Sequence, residues 1–259
     1  MRGGRLAVTM TAILLGTALA GCGQGDRPAE TQRRAGEGAL RNGAYDGLEA
    51  VPERLGADGV TITVGDPDAK VTVHLYEDPR CPVCEEFELS GGGPGLRRAT
   101  IQRKVKTEYT LASFLDDRLG GQGSKKAVNA LRAALAEGKF AEYHEMLYAY
   151  QPEEAVDGYT DAFLLELADD VEGLRTPAFE AAVKGMKYRA FVTASEKAYE
   201  RAGGAEEPEG PGTPTAVINE VRIPTDNNGV LFDPILFDSL LVSVASHPEE
   251  WKYFTFPTG

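Results

Sequence analysis

The chain has 259 residues, 27 of them basic and 40 acidic, for a net charge of −13. That balance, with no basic cluster, argues against nucleic-acid binding and is accounted for by solubility. Hydrophobic residues make up 42%, enough to bury a core of one large domain or two small ones, which confines disorder to the polar stretches. Three cysteines are too few for a disulfide scaffold.

Met1 to Arg5 carries two arginines, and Leu6 to Ala20 is mostly apolar. The run is short for a membrane span and suits the core of a signal peptide. It closes on Leu19-Ala20-Gly21-Cys22, which resembles the lipobox of bacterial lipoproteins. That resemblance implies a signal peptide over 1–21 and lipidation of Cys22, which keeps Cys22 out of redox work. Residues 22–56 are rich in Gly, Arg, Glu and Gln without periodicity. They read as a flexible tether, with a short helix near Tyr45–Leu55.

Gly59 to Val64 reads as a strand, and Gly65-Asp66-Pro67-Asp68-Ala69 as a turn. In the next run Val71, Val73 and Leu75 alternate with Thr72, His74 and Tyr76, which is strand period. It leads through Glu77-Asp78-Pro79-Arg80 into Cys81-Pro82-Val83-Cys84, followed by the helix formers Glu85 to Glu88. The cysteine pair therefore falls where a strand hands over to a helix N-terminus. Unpaired N–H groups and the helix dipole stabilise an anion there, so Cys81 should ionise more easily than a free thiol. Cys84, one turn inside the helix, should be more buried and act as the resolving thiol. Two other uses of the spacing stay open, half a zinc site or an inert structural bridge. Zinc usually takes four ligands, and His74, His144 and His247 show no paired spacing.

Gly91-Gly92-Gly93-Pro94-Gly95 interrupts the helix, which resumes from Leu96 to about Lys104, and Val105 to Leu111 alternates as a second core strand. A helical block follows. Ala127, Ala130, Leu131, Ala134 and Leu135 lie on one helix face. Thr160 caps a helix to about Val171, Thr176-Pro177 opens another, and Met186 to Ala202 continues helical. Nothing in the block has metal-ligand or nucleophile–base spacing, so it reads as lid and scaffold. Gly203 to Gly212 is an acidic loop, and Gly212-Thr213-Pro214-Thr215 opens the strand Ala216 to Asn219, with Val221 to Ile223 as hairpin partner. Pro234 to Ser246 is an amphipathic helix, and the tail from Trp251 is uninformative.

Cys-Pro-x-Cys, Phe87 three residues after the second cysteine, Gly138-Lys139-Phe140 with Tyr143-His144, and Thr213-Pro214 together resemble the DsbA-like branch of the thioredoxin superfamily. The resemblance covers roughly residues 59–245. It implies an α/β fold, a thioredoxin-like central sheet with an inserted helical domain, built as a core of 57–120 and 204–259 around an insertion of 121–203. It implies a cis Pro214 facing the redox pair, with the Thr213 backbone docking substrate and Pro214 excluding metal. Pro82 and Val83 tune the couple. His144 is expected to pack rather than to act as a base.

The function so implied is an extracytoplasmic thiol-disulfide oxidoreductase on the outer face of the cell membrane, without cofactor or metal. Its clients would be reduced or unfolded exported proteins, and a membrane quinone-linked thiol oxidase would regenerate it. The alternatives are a reductase or isomerase for a dedicated client, or a non-catalytic lipoprotein adaptor. Two departures from the family stand out. Leu75 occupies the place of a buried acid six residues before the first cysteine, so proton transfer should be slower or water-borne, and Pro79 replaces an aromatic. Glu77 should share Leu75's face while Asp78 lies in the loop.

Overall fold

The computed structural model describes residues 43–256. The expected signal peptide, the expected lipidation site Cys22 and the greater part of the expected tether lie outside the described residues. The tether's expected end at residue 56 is too late, because Glu53–Leu55 forms β1, an edge strand. The short helix expected near Tyr45–Leu55 shrinks to a single 3₁₀ turn at Leu48–Ala50. Hydrogen bonding explains both corrections: β1 pairs antiparallel with β2 (Ile62–Gly65), Glu53 opposite Val64.

The sheet has six strands in the order β1-β2-β4-β3-β5-β6, with β3 Val71–Glu77, β4 Val105–Leu111, β5 Thr215–Ile218 and β6 Val221–Arg222. Only the central pair, β3 and β4, is parallel. A parallel pair needs a crossover, and here it is α1 (Pro82–Leu89) and α2 (Gly93–Ile101). The glycine run that separates them is a packing requirement, since a Cβ on Gly92 would stand 2.5 Å from the Phe237 ring. Between β4 and β5 come α3 (Leu115–Leu119), α4 (Gly123–Glu137), α5 (Phe140–Ala149), α6 (Asp161–Asp169), α7 (Pro177–Lys184) and α8 (Arg189–Gly203). The last helix starts at Arg189 rather than at the expected Met186, whose φ of 47° breaks helical geometry. After β6 follow α9 (Gly229–Phe232), α10 (Pro234–Ser246) and α11 (Pro248–Trp251).

The alternation in β3 sorts its side chains. Val71, Val73 and Leu75 are fully buried on one face, while Thr72, His74 and Tyr76 are half-buried on the other. Each buried Val or Leu contributes on the order of 1.5–3 kcal/mol, which fixes the strand's register, because a one-residue slip would turn all three outward. On the buried side Phe87 of α1 meets Phe237 of α10 edge-on at 5.7 Å. The insertion is tied to the end of β4 by Ser195 of α8, whose Oγ donates to the Leu111 carbonyl at 2.7 Å and accepts from its N–H at 3.1 Å. β3 therefore ends as a rigid central strand, and the loop it delivers is clamped between core and insertion.

Candidate active site

Asp78 shapes that loop. Its carboxylate accepts from the N–H of Arg80 at 3.0 Å, the N–H of Leu115 at 3.1 Å and the hydroxyl of Ser124 at 2.6 Å. Its carbonyl accepts from the N–H of Cys81 at 2.9 Å. Burial raises the Asp78 carboxyl to about 7 against these hydrogen bonds. Arg80, just before the first cysteine, is only 2% exposed. Its guanidinium pairs with Asp116 at 2.9 Å and donates to the carbonyls of Gly120 and Glu154, each at 2.9 Å. Asp116 in turn caps α4 by accepting from the N–H groups of Ser124 and Lys125. The loop from β3 to α1 is thus bolted to the insertion through charge.

Cys81 is the N-cap of α1, with Pro82 in the first turn, where its missing N–H costs nothing. Cys81 is 7% exposed and Cys84 fully buried, both as free thiols. They pack with Leu115, Tyr148 and Phe114. Pro82 and Val83 between them face solvent. The Thr213-Pro214 bond is cis, and the Thr213 carbonyl lies 3.4 Å from the Cys81 sulfur. Tyr199 of α8 holds this loop, accepting from the Gly212 N–H at 3.1 Å while stacking on Phe114 at 5.3 Å. Sulfur, helix N-terminus and the Thr213 carbonyl thus converge, although Cys81 and Thr213 stand 132 residues apart.

The two thiols are electrically unequal. The Cys81 thiol is lowered to about 6, chiefly by a hydrogen bond from the Cys84 side chain, with help from Thr213 and the N–H groups of Cys84 and Val83, and against burial. Cys84 is pushed well above its ordinary value by burial, by that same bond and by the charges of Cys81 and Glu77. One thiol is poised as a thiolate near neutrality and the other as a proton-bearing partner. This arrangement suits attack by, or on, the first sulfur and resolution by the second.

Leu75 stands fully buried at the place of the expected acid, yet the site does not lack one. Glu77, two residues further along the same face, is also fully buried, and its Oε2 lies 2.9 Å from His144 Nε2 of α5. Glu88 of α1 joins them, paired to Arg97 of α2. The ligand-capable atoms of Glu77, Glu88 and His144 all lie within 4.8 Å of one another. A buried acid is thus present on Leu75's face, two residues from the expected position. His144 packs, as the motif suggests, among Tyr109, Phe140 and Tyr148, and it also bonds to an acid at the foot of the redox helix. Sequence reading missed Glu88, although a signal existed: it follows Cys84 by four residues and so shares its helix face. The Arg80–Asp116 pair left no local signal.

A family signature described as Thioredoxin matches residues 57–230. A stretch of 163 residues, 60% of this chain, is 28% identical to the serine/threonine-protein kinase PknE of Mycobacterium tuberculosis and spans 28% of that protein. The chain thus covers only about a quarter of the length of the curated relatives it matches. Among solved structures, oxidised BdbD from Bacillus subtilis superposes with a TM-score of 0.58 at 20% identity, covering 79% of this chain and all of BdbD. The thiol-disulfide oxidoreductase MdbA from Corynebacterium diphtheriae gives 0.55 at 19%, over 77% of this chain and 95% of MdbA. Oxidised DsbA from M. tuberculosis gives 0.52 at 22%, over 74% and 98%. With the signature running across about two thirds of its length, the chain belongs to the thioredoxin family, and its backbone takes the DsbA-like form of that fold, a central sheet with inserted helices.

Proposed function

We propose that this protein is a thiol-disulfide oxidoreductase that oxidises cysteine pairs in exported proteins through Cys81 and Cys84. The observation that carries the reading is the inequality of the two thiols beside the Thr213 carbonyl. In the oxidising direction a client thiolate attacks Cys81, the Cys81–Cys84 bond breaks, and Cys84 leaves and takes up a proton. The client's second thiolate then attacks its own sulfur in the mixed disulfide and releases Cys81 as a thiolate. The enzyme gains two electrons and the client loses them. A membrane quinone-linked thiol oxidase would take those electrons, and Cys22 would hold the protein at the outer face of the membrane. The solvent-facing Pro82 and Val83 would meet the client, and the Thr213 backbone would align it. The adaptor alternative drew some of its weight from Leu75, and a buried acid two residues on speaks against it.

Linkage supports the oxidising direction. The Cys81 thiol has a folded pKa of about 6, below the unfolded value of about 8.5. The reduced fold is therefore stabilised above the unfolded value, and that stabilisation is lost as pH falls through about 6. At pH 7, one unit above the folded value, it still contributes about 1.4 kcal/mol; by pH 5 it is nearly gone. The disulfide form lacks this contribution. Melting both redox forms at pH 5 and pH 7 should show the reduced form gaining on the oxidised one as pH rises. An oxidised form markedly more stable at pH 7 would turn the reading towards a reductase. Turnover is checked by oxidation of a reduced, unfolded client and by insulin reduction; a chain active in neither is no oxidoreductase. For the anchor, Cys22→Ser should move the protein from membrane to soluble fraction with exchange in detergent unchanged.

A further inference from the structure

The end of the sheet away from the thiols gathers apolar surface. Lys70 and Lys104 lead into Val71 and Val105, the paired first residues of β3 and β4, whereas Cys81 follows the far end of β3. Seven residues at about 3.3 Å each set the two ends roughly 20 Å apart. Because β5 runs antiparallel to β3, its last residue, Ile218, lies towards the end away from the thiols, and its carbonyl accepts from the indole N–H of Trp251. Trp251 stacks on Phe254 at 4.9 Å and meets Phe256 edge-on at 5.9 Å. The tail is not sealed: Phe254 is 47% exposed and Tyr253 78%. Into it runs α10, with Asp238 as the one charge in its 13 residues, in a chain that is 26% charged. Val242 of α10 is 64% exposed. With Ala99, Gln102, Lys104, Leu241 and Ala245 it lines an open groove of about 460 Å³ between α2 and α10.

Lys70, Lys104 and Lys252 share this end with Asp68, Glu220, Glu249 and Glu250, so the signs nearly cancel. What remains is exposed aromatic and aliphatic surface with lysines around it, a composition suited to a membrane–water interface. The chain also enters here. The Tyr45 N–H donates to the Ile101 carbonyl at the C-terminal end of α2, and Arg103 stands over the Tyr45 ring. Back to Cys22 the link comprises residues 23–44, at most about 80 Å of chain.

We propose that this end is a lipid-docking face: Val242, Tyr253 and Phe254 enter the headgroup region of the bilayer that holds Cys22, and the thiols point away from it. The inference rests on the anchor reading of Cys22. An anchor makes docking intramolecular, so a weak apolar contact is sufficient. Docked, the redox pair meets clients. Undocked, the domain turns its thiols to a membrane partner.

Trp251 is the chain's one tryptophan and sits in the patch, so its emission reports on docking. Lipidated wild-type protein in phosphatidylcholine vesicles should lose Trp251 emission when the acyl chains carry bromine, because interfacial insertion of about 5–10 Å brings the bromines within reach. Combining Val242→Glu with Tyr253→Glu should restore emission to its level in unbrominated lipid, with melting temperature and reduction by dithiothreitol unchanged. Both side chains are exposed, so the pair leaves the fold intact. Wild-type emission indifferent to bromine overturns the proposal, as does quenching that survives both substitutions. Quenching confined to vesicles of anionic phosphatidylglycerol also overturns it, by assigning the face to charge. Self-association of Cys22→Ser protein in solution, abolished by the same two substitutions, would give the face to a second copy and overturn it. Fractionation of Cys22→Ser tests the anchor separately, so either reading can fail without the other.

Discussion

Cys84→Ala will accumulate mixed disulfides through Cys81, while Cys81→Ala will trap almost none. Titration alone does not decide this. At pH 7 a thiol of pKa about 6 is some 90% thiolate, whereas burial keeps Cys84 protonated. Intrinsic nucleophilicity falls with pKa, which offsets part of that advantage. The remainder comes from access: Cys81 is 7% exposed at the helix mouth and Cys84 is sealed behind it. Cys84→Ala also removes the largest cause of the low Cys81 value, so trapping should strengthen as pH is raised towards 8. Non-reducing gels after mixing with a reduced or oxidised client give the answer. Equal trapping by both variants would overturn the assignment of attacking and resolving roles.

Arg80→Ala will cost about 3–5 kcal/mol of stability, the range for breaking a buried ion pair from one side. The substitution strands Asp116 and leaves the carbonyls of Gly120 and Glu154 without their donor. At about 2–4 °C per kcal/mol for a fold of this size, the melting temperature should fall by roughly 10 °C. Arg80→Lys should recover little, because an ammonium cannot reproduce a planar fork reaching three acceptors. A melting temperature within about 2 °C of wild type would mean the α4 amides that also serve Asp116 are sufficient partners.

The contrast between these residues shows what the chain discloses in one dimension. The strand period of Val71 to Leu75, the caps at Thr160 and Thr176, and the span of α10 are local patterns, and each appears where local rules put it. Cys81 and Cys84 were legible because a strand, a turn and a helix start are all nearby in sequence. Edge strand β1 was not: a three-residue strand in polar surroundings owes its form to pairing with β2. The Glu77–His144 bond joins residues 67 apart, and Arg80 reaches Glu154 across 74. Such pairings depend on which helix packs on which face, and periodicity is silent about that.

The 132 residues separating Cys81 from Thr213 bear on biogenesis. A chain delivered N-terminus first exposes its thiols with β3 and α1 long before β5 can take its place beside β3. Until then the nascent thiols lack the carbonyl that later stands over Cys81, and α5 has yet to cover Glu77. Contacts of such sequence separation form slowly, after their loop-closure entropy has been met. The thiols are thus open to mispairing until β5 is in place, and an assistant that holds or reduces them in that interval would shape the yield of active protein.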